Sequence, residues 1–196
     1  MFESQRDSIS QPGVARNELR RVGGPGVSST LKGLHHVARS FRVDFMPQSL
    51  AKILLHVVFS TKERRPLLRD RAFREEMHRY IGGILNGLDC PPILVGGVED
   101  HVHLLCVLSR TCAPADMVKE VKRSSSLWIK TRAPEFADFA WQGGYGIFSI
   151  SFSQIEEVRR YIAGQEQHHR KLTFQDEFRR LLKRYQLAYD EAYVWD

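Results

Sequence analysis

His101 and His103 stand one residue apart in VGGVEDHVHLL (95–105). Two neutral imidazoles at that spacing share one face of a strand and can chelate a single divalent ion. A metal needs more ligands than two, and a later segment offers one together with a nucleophile. In SFSQIEEVRRYIAGQEQHH (151–169), Tyr161 and Gln165 lie four residues apart, one turn from each other on one helix face. A phenol and an amide placed that way can both reach one metal-bound phosphate. Asp100, just before the histidines, either orients an imidazole or closes a turn. Taken singly, these features also have ordinary explanations: two structural histidines, an amphipathic rim tyrosine and a solvated glutamine.

The elements that must position these groups follow from periodicity. KILLHVVFS (52–60), PPILVGGVE (91–99), HVHLLCVL (101–108) and YGIFSISF (145–152) read as strands, with Glu99-Asp100 as the turn inside a hairpin. Asp70 caps a helix running to about Leu85, with Phe73, Met77, Tyr80, Ile81 and Ile84 on one stripe and Gly87 ending it. A second helix spans about Pro114 to Thr131, with Met117, Val121 and Leu127 inward. Further helices are expected from Gln154 to His168 and from Phe174 to Leu187, the former with Ile155, Val158 and Ile162 buried. Ser153 and Glu156 have capping-box spacing at the start of the Gln154 helix. Gly164 interrupts it at a cost of roughly 1 kcal/mol against alanine, which fits a close approach of backbone or nucleic acid. The order β-α-β-β-α-β plus two helices is the α+β, ferredoxin-like split βαβ arrangement: an antiparallel sheet with extra C-terminal helices. The 101–108 strand is apolar on both faces, so both must be covered. The two crossover helices cover one; the C-terminal helices or a second subunit must cover the other.

The rest of the composition bounds the answer. The chain has 196 residues, of which 42% are apolar, and a net charge of +6 that suits a polyanionic partner. No apolar run can span a bilayer and the start has no secretory pattern. Cys90, Cys106 and Cys112 are odd in number without C-x-x-C spacing, which points to a reducing, cytoplasmic setting and argues against a disulfide framework or a zinc knot. Cys106 faces away from the histidines as inert core. Residues 1–45 have no helical or strand period and read as a disordered extension or a mis-called start, with 46–196 as the functional domain.

Five motifs in order carry a resemblance: VGGVEDHVHLL, VKRSSSLWI (121–129), WQGGYGIFSIS (141–151), VRRYIAGQEQHH (158–169) and YDEAYVWD (189–196). From about Met46 to Asp196 the chain resembles the single-tyrosine HUH transposases, the insertion-sequence-200-like group and the related REP-associated tyrosine transposases. The family often has Asn where this chain has Gly164, a departure that bears on DNA fit. The resemblance implies a transposase that cleaves and rejoins single-stranded DNA at hairpin-bearing element ends through a 5′-phosphotyrosine. It makes Tyr161 the nucleophile and His101, His103 and Gln165 ligands of Mg²⁺ or Mn²⁺. It also implies a homodimer, with the tyrosine serving either its own or its partner's histidines.

The residues add candidate DNA contacts: Lys62, Arg64 and Arg65 after the first strand, Lys122, Arg123 and Ser124 on the second helix, and Arg159 beside the tyrosine. Trp128, Trp141 or Tyr145 offer rings for stacking bases. His56 reads as a hydrogen-bonded core histidine, and His168 and His169, on nearly the Tyr161 face, as surface or DNA-contacting groups, with competition against Gln165 as ligand the alternative. A histidine-triad hydrolase is disfavoured because Leu105 stands where a third histidine is needed. A non-catalytic nucleic-acid-binding module of the same topology lacks its strand aromatics here. A domesticated hairpin-specific nuclease has the same sequence features as an active transposase.

Overall fold

The computed structural model describes residues 49–195; the expectation for residues 1–45 lies outside them. Four strands, β1 (Ile53–Ser60), β2 (Pro92–Gly97), β3 (His101–Leu108) and β4 (Gly146–Ile150), form one sheet in the order β2-β3-β1-β4. Every neighbouring pair is antiparallel. The helices are α1 (Arg71–Gly87), α2 (Pro114–Lys130), α3 (Ile155–Ala163), α4 (Gln165–His168) and α5 (Phe174–Arg184). The fold is the expected α+β split βαβ, with strand positions within one or two residues of those read from the pattern. Among the described residues no helix is long and apolar enough to cross a membrane.

Side-chain alternation divides the sheet into two faces. Val57, Phe59, Val102, Leu104 and Cys106 face α1 and α2, which contribute Met77, Ile81, Leu85, Met117, Val121 and Ile129. Each such burial stabilises by roughly 1.5–3 kcal/mol. Asp70 caps α1 by accepting the Phe73 N–H at 2.6 Å. Leu127 was expected inside and is exposed. It lies six residues past Val121, about 240° around the helix and on the solvent side; Ser125 takes the inward place and accepts the buried Trp141 Nε1–H at 2.8 Å.

The opposite face carries His56, His101 and His103. Its apolar part is covered by the chain itself. Leu54, Leu105 and Ile150 pack on Val158 and Ile162 of α3. Val58 and Phe148 pack on Phe174, Phe178, Leu181 and Leu182 of α5. Two sequence readings change here. The capping box is Ser151 with Gln154, on a 3-10 turn before α3, and Ser153 bonds the Ser151 hydroxyl instead. The single helix expected over 154–168 breaks at Gly164 into α3 and α4.

The Gly-Gly before the histidines has two separate jobs. Gly96 sits under α3: a Cβ there would lie 2.6 Å from Ile162 Cγ2. Gly97 has φ +146, and a Cβ there would lie 2.3 Å from the His101 carbonyl oxygen. One glycine lets the tyrosine helix close onto the sheet. The other lets the hairpin turn tightly enough to start β3 at His101.

Candidate active site

β3 delivers His101 and His103 to the α3–α5 face, and both are fully buried. α3 delivers Tyr161, and α4 delivers Gln165 after the break at Gly164. The Tyr161 and His103 ring centroids are 5.7 Å apart. All four expected residues therefore meet within one chain.

The group at their centre was not foreseen. Glu177, in the first turn of α5, is only 2% exposed. Its Oε1 accepts the Tyr161 hydroxyl and the Gln165 Nε2–H, the latter at 2.8 Å. Its Oε2 lies 3.1 Å from His169 Nε2, 3.5 Å from His101 Nε2 and 3.6 Å from His103 Nε2. Burial opposes charge on this carboxyl, but the imidazoles of His103 and His169 outweigh it and hold its pKa well below the usual range. His169 was read as a surface group; it is half-buried against Glu177. Burial works against its charge, yet the carboxylate and the Leu172 carbonyl raise its pKa. His168 lines the tyrosine's surroundings, 3.7 Å from Glu177 Oε1.

Tautomers follow from the outer contacts. Asp100 Oδ1 accepts from His101 Nδ1 at 2.6 Å, which leaves the His101 Nε2 lone pair facing inward. Gln165 donates its amide N–H to Glu177, so its Oε1 faces His101 Nε2 at 3.2 Å. Two lone pairs thus oppose each other, an arrangement that a shared cation satisfies. His103 Nδ1 meets His56 Nε2 at 2.9 Å, and burial holds His103 neutral. Its Nε2 is buried without a hydrogen-bond partner. Burial first and His103 second lower the pKa of His56 to about 3, so it serves as a neutral prop for His103.

The set fits a divalent ion. Ligands held about 2.1 Å from one ion lie about 3.0–3.5 Å from each other at octahedral or tetrahedral angles. The donor separations of 3.2, 3.5 and 3.6 Å match that spacing. Donor atoms of His101, His103 and Glu177 all lie within 4.8 Å of one another.

Tyr161 is the group hardest to activate. Burial raises the phenol's pKa, and the adjacent Glu177 charge raises it further. The phenol stays neutral unless positive charge is brought close to it.

The expected DNA contacts are scattered. Lys122 is turned inward: its ammonium donates to the carbonyls of Gln142, Gly143 and Gly144 at 2.8, 3.2 and 2.7 Å, and burial lowers its pKa to about 8. It is bound to the chain rather than free for phosphate. Arg123 and Ser124 both bond Glu120 on α2, across the sheet from the histidines. Arg159 pairs with Glu156 on the surface. Arg64 lies 6.0 Å from the Trp195 ring centroid, while Lys62 and Arg65 are exposed. Trp141 is 7% exposed and edges onto Phe59, so it is core and cannot stack a base. Trp128 lies between the rings of Phe73 and Tyr80, and Tyr145 remains exposed.

Comparison with known proteins gives the family. The family model described as "Transposase IS200 like" matches residues 49–165, more than half of the chain. Among solved structures, the chain is similar to a candidate transposase from Deinococcus radiodurans R1, with 20% identity and a TM-score of 0.49 over 61% of this chain and 95% of that one. It is also similar to a REP-associated tyrosine transposase bound to a REP hairpin, with 13% identity and a TM-score of 0.43 over 61% and 68% of the two chains. A search of curated proteins finds no match. The matched residues run from the segment before β1 to Gln165 and include His101, His103 and Tyr161; α5 with Glu177 lies beyond them. The chain belongs to the IS200-like transposase family.

Proposed function

We propose that this transposase cuts and rejoins single-stranded DNA with Tyr161 as the nucleophile. The observation that carries this reading is the convergence, within one chain, of Tyr161, Gln165, His101 and His103 on the buried carboxylate of Glu177. His101, His103 and Gln165 would hold Mg²⁺ or Mn²⁺, with Glu177 adding the one charged oxygen of the set. A bound divalent ion would polarise the scissile phosphate and offset the charge that grows on it.

The chain's own residues do the rest. Asp100 and His56 fix the two imidazoles. The Tyr161 hydroxyl is positioned by its hydrogen bond to Glu177, and it loses its proton to solvent once cationic charge is close, as the oxygen attacks phosphorus in line. The new Oη–P bond replaces the bond to the 3′-oxygen, which leaves as a hydroxyl after taking a proton from solvent. The resulting 5′-phosphotyrosine keeps the phosphodiester energy for attack by a second 3′-hydroxyl, and no nucleotide cofactor is consumed. The meeting of the whole set within one chain supports a reading in which the tyrosine serves its own histidines and a dimer is not needed to complete the site. A hairpin-bearing strand as substrate follows from the family resemblance.

The test is covalent capture. The wild-type chain, incubated with labelled single-stranded DNA and Mn²⁺, should give a protein–DNA band on a denaturing gel. Tyr161→Phe should lose the band while keeping strand binding. A phenylalanine variant that still forms it would remove Tyr161 from this role.

A further inference from the structure

A cleft of about 460 Å³ opens beside Tyr161, between α3 and α5. Tyr161, His168 and Glu177 line it, together with Arg160 of α3, Arg180 and Arg184 of α5, and Tyr185 just after α5. Arg160 falls within the tyrosine motif and the family match, but Arg180 and Arg184 belong to neither, since α5 lies outside the matched residues.

Charge and shape together select an occupant. Arg180 has no acceptor among the described residues. Arg160 uses only its Nε, on the Glu156 carbonyl at 3.3 Å. Arg184 makes one surface contact with Glu157 at 3.3 Å, a pair about half exposed on both sides and worth little. Two carboxylates line the cleft with these arginines, Glu157 and the inward-bonded Glu177, so three guanidinium groups leave the lining with a net positive charge. Besides the imidazoles of His56 and His168, the rest of the lining is apolar: Val158, Leu181 and the Tyr185 ring, which stacks one face on Phe148 at 4.6 Å. An anionic ligand with a flat apolar part fits such a place. Arginine forks match phosphate, and an aromatic ring takes a base.

We propose that this cleft seats the nucleotide next to the scissile phosphate, with Arg180 and Arg184 on the backbone phosphate and Tyr185 beneath the base. The assignment rests on the tyrosine-nucleophile reading, because Tyr161 lines the cleft. It also supplies the positive charge that the neutral phenol requires. The histidine, glutamine and glutamate group would hold the ion that takes the reacting phosphate, and α5 holds the neighbouring phosphate.

The experiment measures binding of a fluorescein-labelled thymidine 12-mer to the full chain with Mn²⁺, over a series of salt concentrations. Arg180→Ala with Arg184→Ala should weaken binding at least tenfold. It should also flatten the dependence of log Kd on log salt by about 1.4, the share of two single-strand phosphate contacts. Arg180→Lys with Arg184→Lys should keep the salt slope. Lys130→Ala, on α2 across the sheet, should match wild type. Circular dichroism melting confirms that each variant is folded. A folded double-alanine variant with wild-type Kd and salt slope would overturn the proposal. Should that occur while wild type still forms its covalent adduct, the cleft fails and the nuclease reading stands. If wild type forms no adduct but the double variant loses affinity and slope, the cleft is supported as a strand-binding site and the nuclease reading falls.

Discussion

Gly96→Ala tests whether close packing of α3 on β2 positions the tyrosine. The added Cβ would meet Ile162 Cγ2 at 2.6 Å and the Ile162 carbonyl oxygen at 3.3 Å. Carbon atoms prefer about 3.5–4.0 Å, so the overlap is about 1 Å. Ile162 is 2% exposed and β-branched, and its rotamer on a helix is nearly fixed. The methyl cannot swing aside, so α3 must lift by about that ångström. Overpacking of this kind costs about 1–3 kcal/mol. At about 2–4 °C per kcal/mol for a domain of this size, the melting temperature should fall by about 2–12 °C. Tyr161 is the residue before Ile162, so the lift also carries the hydroxyl off the Glu177–histidine group. A displacement of about 1 Å can cost about 10²-fold in rate. The assay is the rate of covalent capture, measured well below the lowered melting temperature. Ile162→Ala removes the clashing methyl. Alone it should cost about 2–5 kcal/mol, but in the Gly96→Ala background it should cost less and recover part of the capture rate. A Gly96→Ala protein with wild-type melting and capture, or strict additivity in the double variant, would refute the reasoning.

Glu177→Gln keeps an acceptor for Tyr161 but removes the charge from the proposed ligand set. Calorimetric titration with Mn²⁺ should show affinity falling about 10–100-fold; unchanged affinity would take Glu177 out of the set. A further prediction concerns acid stability. His78 on α1 is half-buried, its Nε2 is enclosed without a partner, and burial followed by the Arg74 charge lowers its pKa to about 4. The unfolded chain binds the His78 proton near pH 6.5, the folded chain only near 4. Stability is therefore lost as pH falls through that window, by up to about 3 kcal/mol. His78→Leu should shrink the gap between urea midpoints at pH 7 and pH 4.5; an unaltered gap would contradict the assignment.

Much of this was legible before the structure. Strand alternation and the Asp70 cap located the sheet and α1, and the doubly apolar 101–108 strand demanded a third layer, which α3 and α5 supply. Spacing made His101 with His103, and Tyr161 with Gln165, candidates that also had ordinary explanations; only the family resemblance gave them roles. Glu177 was missed, although TFQDEF carried the signal. Phe174, Phe178, Leu181 and Leu182 make an apolar stripe, and Glu177 falls on it at i+3 from Phe174. A carboxylate on a buried stripe needs cations or a metal, and that inference was available. His169 was read as a surface group because sequence cannot show that a carboxylate from α5, Glu177, lies 3.1 Å from its Nε2. Lys122 looked like a phosphate ligand because sequence cannot reveal that three carbonyls from the 142–144 loop would close on its ammonium.

The most direct test of the central claim is to digest the covalent protein–DNA product and locate the linkage by mass spectrometry. The account predicts a single modified peptide, from α3, bearing the 5′-phosphate of the cleaved strand on Tyr161. A nucleotide attached to any other side chain, or strand cleavage without a protein-linked product, would contradict it.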